Sequence, residues 1–417
     1  MHAVRIDARI APWRGRRRVR IFHALRYRDF RLLFAGQTVS LIGDAAFLTA
    51  LGWRTFTLVG AGRFGIVLFC QATALLTTLL IGGALADRIS RRKMMIASDL
   101  ARFVAVGALA AIDASGHLTF TLIIVLSTLM GLGDGLFYPA FGGMVPLVVE
   151  PGAIPSANSL IGVARWSSLL VGPAFAAGLY GVAGSAVVFA VDAASFLVSA
   201  GLLWFTRPRA VEAAAGEGTV REIWSGVRYV AGVPWLWVTI TLFSVVLMLQ
   251  FAPQQVLLPK LIQQHFGQGV GAYGLLTSLL GVGTVAGTLA FGQIQPRHRR
   301  GIISYVVWLI NSVAIAGVAL SPWFGLACLF AVIRGFCIGF GVAIWETMLM
   351  ELVPTNLLSR VVSLDFFGSF GLMPVGLAVA ASISGLAAPG TIIAGGALIS
   401  AAMFAVVLTR PWLKEID

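Results

Sequence analysis

The sequence predicts an all-α integral membrane protein with twelve transmembrane helices arranged as two six-helix bundles. Three observations carry that prediction. Of the 417 residues, 58% are hydrophobic and only 11% charged, and mean hydropathy is +0.91. An ordinary soluble domain carries about 25% charged residues, and no soluble core could hide this much apolar surface. Apolar runs of about twenty residues, long enough to cross the hydrocarbon as a helix with every backbone polar group satisfied inside it, recur down nearly the whole chain. A single long polar interruption, Thr206 to Pro234, leaves six such runs on either side.

The first 29 residues are Arg-rich and hold no apolar run that could serve as the core of an export signal, so this basic N-terminal tail is expected to stay in the cytoplasm. Runs at 30–58, 65–86, 94–112, 118–142, 156–180 and 185–205 give an N-terminal bundle, 30–205. The linker, 206–234, carries Glu212, Glu217, Arg221, Glu222 and Arg228. Within it Val220 to Val230 has apolar residues at helical spacing, which predicts a short amphipathic helix on the inner membrane surface. Runs at 236–258, 272–293, 302–320, 322–346, 361–384 and 390–409 give a C-terminal bundle, 235–409, followed by a cytoplasmic tail, 410–417.

The net charge of +13 and the run Arg14, Arg16, Arg17, Arg18 and Arg20 raise the question of nucleic acid, but the distribution of charge answers it. Ten basic residues fall up to Arg31, four between spans 2 and 3, four between 6 and 7, three between 8 and 9, one between 10 and 11 and two at the C-terminus. Only Arg63 and Lys260 fall on the other side, and Arg54, Arg102, Arg165 and Arg334 lie within spans. This asymmetry is the positive-inside pattern with both termini cytoplasmic; the partner is the lipid bilayer and no nucleic acid is expected. Cys70, Cys328 and Cys337 all fall inside apolar runs and read as free thiols. Phosphate-loop, His-Glu-x-x-His and Cys-x-x-Cys motifs are absent, so no enzyme, metal site, cofactor or ATP-driven pump is expected from this chain alone.

The halves echo each other. Gly83-Ala84-Leu85-Ala86 closes span 2 and Gly287-Thr288-Leu289-Ala290 lies near the end of span 8, while Gly131 and Gly135 in span 4 match Gly335 and Gly339 in span 10. All these pairs are 204 positions apart (287 − 83, 335 − 131 and 339 − 135), which favours an ancient duplication. Gly283 and Gly287 have the spacing of close helix packing.

Ionisable groups deep in a span need a partner or a task. Asp44 lies about 21 Å into span 1 and shares a face with Gln37 and Ser40, a polar strip that ends at Phe47 and Leu48. It either takes up and releases a coupling proton or binds substrate, or it holds a structural hydrogen bond or ion pair. Arg334 near mid-depth in span 10 could answer an acidic cavity residue or an anionic substrate. Arg165 and Asp192, in adjacent antiparallel spans, read as a structural ion pair. Asp134, Glu346 and Asp365 are read near the cytoplasmic ends of spans 4, 10 and 11, with Asp134 facing Arg91 or Arg92, either closing an inner gate or as solvated helix-end charges. Gln250, Gln254 and Gln255 are candidates to line a cavity in span 7.

The loop after span 2, Gly83-Ala84-Leu85-Ala86-Asp87-Arg88-Ile89-Ser90-Arg91-Arg92-Lys93, resembles the loop signature of the major facilitator superfamily, with Ser90 where that family usually has Gly. Arg28-Asp29-Phe30-Arg31, Ser40-Leu41-Ile42-Gly43-Asp44, Tyr138-Pro139-Ala140, Ala157-Asn158-Ser159-Leu160 and Asp192-Ala193-Ala194-Ser195-Phe196 extend the resemblance along the chain, to a bacterial branch of macrolide-efflux and enterobactin-exporter type. The resemblance implies the major facilitator fold and a place in the bacterial cytoplasmic membrane. It also implies a cytoplasmic gate in which Asp87, Arg88, Arg91 and Arg92 latch the two halves. Gly172-Pro173 resembles the kinked element of antiporters in that superfamily, with Ala176 and Ala177 replacing its trailing glycines. The expected activity is secondary export of drug-like or siderophore-like small molecules by alternating access, in exchange for protons, by a monomer. A proton-coupled importer or facilitator is the alternative, and a membrane-embedded receptor or enzyme the alternative of another class.

The topology is checked by reporter fusions. Alkaline phosphatase fused within 206–234 is expected to be inactive and green fluorescent protein there to fluoresce; the reverse pattern sinks the assigned orientation.

Overall fold

A computed structural model of the chain describes residues 22–86, 89–209, 219–294, 296, 298–354 and 357–415. Among them, twelve helical segments are long and apolar enough to cross a membrane, six on each side of the linker. The first half consists of α1 (Arg28–Val59), α2 (Ala61–Ala86), α3 (Arg91–Ala114), α4 (Phe120–Val148), α5 (Ile154–Ala183) and α6 (Ser185–Trp204). The linker contributes α7 (Thr219–Gly232). In the second half the seventh span is built from α8 (Pro234–Val246) and α9 (Ala252–Gln264), joined through the π-helical turn Leu247–Phe251. Then follow α10 (Val270–Ile294), α11 (Arg300–Leu320) and α12 (Phe324–Leu352). The eleventh span is broken into α13 (Leu358–Phe370) and α14 (Met373–Ile383), and α15 (Pro389–Leu408) closes the bundle.

Each apolar run read from the sequence coincides with a helix. The largest differences lie where α4, α9 and α12 continue to Val148, Gln264 and Leu352, past the run ends at 142, 258 and 346. Hydropathy marks where apolar side chains stop, whereas backbone hydrogen bonding carries the helix on beyond them. At the tight α1–α2 and α5–α6 turns, Gly60 and Gly184 take φ of 86° and 81°, a left-handed region that a side chain would oppose.

Packing follows one pattern twice. Span 2 packs on 4, span 3 on 4 and 6, and span 1 on 5 and 6; in the second half span 8 packs on 10, span 9 on 10 and 12, and span 7 on 11 and 12. The duplicated glycines make the same contact in both halves. Gly131 and Gly135 of α4 face the Gln71 and Leu75 carbonyls of α2, and Gly335 and Gly339 of α12 face the Leu280 and Thr284 carbonyls of α10. Gly283 and Gly287 lie against Val332 and Phe336, the close packing their spacing predicts.

The halves meet through α5 on α10 and α2 on α14, two contacts exchanged by that same internal symmetry. α5 runs unbroken through Pro173; Gly172 abuts Ala45 of α1, and the Pro173 carbonyl faces Gly274 of α10. On the side away from the chain termini, one apolar cluster spans both halves, with Trp53, Phe56 and Phe64 from one and Val256, Tyr273 and Ala380 from the other. Across the halves Trp53 stacks on Tyr273 at 6.1 Å, and within the second half the Lys260 ammonium donates to the Ser384 carbonyl at 2.6 Å, tying α9 to the end of α14. On the termini side each apolar cluster belongs to a single half, the linker residues Tyr229, Val230 and Val233 included with the second. Among the described residues, an apolar cluster therefore seals the halves together at one face only. The linker helix docks on the second half, where Arg360 donates to the Ser225 hydroxyl at 2.8 Å.

The ideal Cβ position of Gly62 lies 2.8 Å from the Ser384 hydroxyl, within reach of a disulfide. A Gly62→Cys/Ser384→Cys protein lacking its three native cysteines is expected to cross-link on mild oxidation. Failure to cross-link in any condition would contradict the seal.

Candidate functional site

Arg102, buried in α3 at 2% exposure, is the centre of the polar interior of the first half. Its guanidinium donates to Asp134 of α4 at 3.1 Å and to Asp99 one turn earlier on its own helix. It also lies between the rings of Phe137 and Phe196, 4.3 Å and 4.4 Å from their centroids, an arrangement that favours a cation. Only glycine fits at 133, because an added Cβ would stand 2.6 Å from the Arg102 side chain. Asp99 and Asp192 are fully buried and Asp134 nearly so. Asp192 accepts a hydrogen bond from Ser195 at 3.4 Å.

Asp44 of α1 is half-buried and makes no hydrogen bond or ion pair among the described residues. It lies within electrostatic reach of Arg102, Asp134, Asp99 and Asp192. Gln37 donates to Ser199 at 3.3 Å, and Ser199 in turn bonds Asp99, so Gln37 belongs to the packed end of this network rather than to an open cavity. Two carboxylates thus contact the guanidinium, and two more lie within electrostatic reach of it. Sequence reading assigned neither Arg102 nor Asp99 a role; the signal was available, since the two are three residues apart, and therefore neighbours on one face, inside an apolar span.

Several expectations are corrected. Asp134 is not near a helix end, because α4 continues to Val148 and leaves it about 21 Å inside. Its partner is Arg102, not Arg91 or Arg92. Those two cap helix ends instead: Arg91 donates to the Gly143 carbonyl, and Arg92 to the carbonyls of Leu203 and Trp204 while lying over the Trp204 ring. Arg165 and Asp192 form no ion pair, since α6 packs on α1 and α3 and turns Asp192 toward Asp44, while α5 leaves Arg165 exposed and facing Glu346 across the seam. Among the described residues Arg334 answers no acidic residue, for none forms an ion pair with it.

Glu346 and Asp365 do lie near one another, toward the termini side; Asp365 accepts from the Trp345 indole at 2.9 Å and from Ser369 at 3.4 Å. Gln250, in the π-turn, is buried with its Oε1 unpaired, as are Gln254 and Gln255 Oε1. Asp87 and Arg88 lie outside the described residues. A second ion-paired group, Arg54 with Asp113 at 2.7 Å and Ser185 donating to the same carboxylate, ties α1, α3 and the start of α6 near the sealed face.

Residues 33–373 match the family model described as Major Facilitator Superfamily. Macrolide efflux protein A of Streptococcus pyogenes is 22% identical over 361 residues, covering 84% of this chain and 88% of that protein. Multidrug efflux pump Tap of Mycolicibacterium fortuitum is 22% identical over 400 residues, 93% and 96% of the two chains. Among solved structures, the nucleoside transporter NupG superposes with a TM-score of 0.71 at 12% identity, covering 92% of this chain and 99% of that one.

Removing one partner of a buried charge cluster costs roughly 3–5 kcal/mol, whereas an exposed arginine costs little. Arg102→Met is therefore expected to lower the melting temperature of the purified protein sharply and Arg165→Met to leave it nearly unchanged. Equal melting temperatures for the two variants would remove Arg102 from its structural role.

Proposed function

The chain belongs to the major facilitator superfamily, and from that premise we propose that it is a secondary transporter exporting small amphipathic molecules, drug-like or siderophore-like, in exchange for protons. It is a multi-pass membrane transporter and not an enzyme, and its efflux-pump relatives support the outward direction. The observation that carries proton exchange is the arrangement of Asp44, Asp99, Asp134 and Asp192 about the single Arg102. A buried site with more carboxylates than cations balances its charge by holding protons. Asp44 is the member without a hydrogen bond and the one partly open to solvent, so it is the group through which a proton enters and leaves.

The two-half packing supports alternating access, in which one bundle rocks against the other about a central site. With both termini in the cytoplasm, as the basic loops indicate, the sealed face is the outer one and the chain stands open to the inside. Glu346 facing Arg165 across the seam is the charge pair suited to draw the inner ends together in the opposite state. A membrane potential of roughly 100 mV supplies about 2.3 kcal/mol per charge, enough for a gradient of about fifty-fold.

The test is dye-quench transport in inverted vesicles with a panel of drugs and siderophores. In wild-type vesicles at least one compound is expected to evoke proton release, and Asp44→Asn is expected to abolish it while leaving the protein's melting temperature unchanged. Proton release of equal size in the variant rules out Asp44 as the coupling group.

A further inference from the structure

We infer that Arg334 is the recognition site for an anionic group, such as a carboxylate or phenolate, on the amphipathic molecule the protein carries; this rests on the transport reading and names the ligand class that reading leaves open. Arg334 is 5% exposed, and among the described residues it makes no hydrogen bond or ion pair, its Nε being buried without an acceptor. Arginine stays cationic at physiological pH, and a lone guanidinium at mid-depth is among the costliest groups a membrane protein can hold. Arg102 shows how this protein treats such a group when it is structural: two carboxylates and two aromatic rings enclose it.

The second half has nothing comparable to offer Arg334. From Pro234 to Trp345 the sequence contains no Asp or Glu at all. The nearest acid along α12, Glu346, is a dozen residues on, about 18 Å along the helix, and lies toward Arg165 and Asp365. Glu351 is paired with Arg300, and Asp365 is held by Trp345 and Ser369. In the first half Asp44, Asp99, Asp134 and Asp192 are gathered about Arg102. Among the described residues none supplies a counter-ion to Arg334, so the counter-ion assigned to it comes from outside the chain.

The position fits a ligand. Ala331, three residues earlier on the same face of α12, belongs to the apolar cluster that seals the two halves together, so Arg334 is the charged group directly beneath that seal. Gln250 and Gln254, Ser278 and Asn311 each bury an oxygen without a hydrogen-bond partner. Counted from the helix ends on the sealed face, they lie about 12–21 Å deep and Arg334 about 15 Å, so the second half concentrates unused polar groups at one level. Of these atoms the Ser278 hydroxyl can donate alongside the guanidinium while the amide oxygens can accept from polar groups elsewhere on the ligand, and the neighbouring apolar side chains suit the rest of an amphipathic molecule better than a hydrated inorganic ion.

The test is tryptophan-quench titration of the full-length protein in lipid nanodiscs with matched sets of naphthyl and decyl carboxylic acids, their methyl esters and the corresponding amines. At least one acid is expected to bind about tenfold or more tighter than its ester, the worth of one charge-assisted hydrogen-bonded contact. Arg334→Gln is expected to bring that acid down to the level of the ester and Arg334→Lys to keep most of the preference. Ile338→Asp, which supplies an internal counter-ion four residues on, is expected to erase it in a protein that keeps its arginine. Acids that bind no tighter than esters in the wild type, or a preference that survives Arg334→Gln, overturn the inference. Binding is read without transport: an acid preference in a protein inactive in the vesicle assay leaves this site standing while the export reading falls, and vesicles that export a compound without any acid preference do the opposite.

Discussion

A guanidinium in hydrocarbon dictates its own surroundings, and Arg102 has drawn the first bundle together to satisfy one. Its own helix supplies Asp99, α4 supplies Asp134 and Phe137, and α6 supplies Phe196, so the contacts of one side chain specify how three helices pack. Gly133 is the concession the neighbouring helix makes to let it in. The carboxylates exceed what one cation can balance, and the excess leaves Asp44 on α1 as a member of the group with no bond of its own. Structural charge and chemically useful charge are therefore parts of one network.

The second bundle repeats the helix packing of the first but not its chemistry. The duplicated glycines seat span 4 on span 2 and span 10 on span 8 through the same carbonyl contact. Around that shared frame the interior of one half holds buried acids, whereas the second half buries Arg334 and no acid among its described residues. A duplicated scaffold with opposite interior charge gives a transporter two unlike walls. One wall is lined by carboxylates gathered about Arg102, the other by the lone Arg334.

The fold was legible in the sequence because the hydrocarbon imposes a length and a composition that no side-chain detail can hide; twelve apolar runs and one polar break carry it. The glycine repeat was legible for a related reason, since close packing of two helices admits few alternatives to glycine. Pairing was less legible. Hydropathy placed Asp134 near a helix end, so Arg91 and Arg92 looked like its partners, whereas the helix runs on and the partner is Arg102. Arg165 and Asp192 are neighbours in sequence order, but α5 and α6 turn their charged faces to different helices, a fact of rotation about the helix axis that spacing along the chain does not reveal. The depth of Asp44 marked it as a charge needing a partner or a task, but not which, since depth says nothing of the groups on the facing helices.

The seventh and eleventh spans are both interrupted near mid-membrane, one by the π-turn Leu247–Phe251 and the other at Gly371 and Leu372, and they pack against each other piece by piece: α8 on α13, α9 on α14. Interrupted helices bend at the interruption more cheaply than continuous ones. The upper pieces are built into the seal, while the lower pieces carry the linker helix. The two spans therefore form a jointed pair, with one piece of each clasped in the seal and the other piece of each joined to it only through a break in the helix.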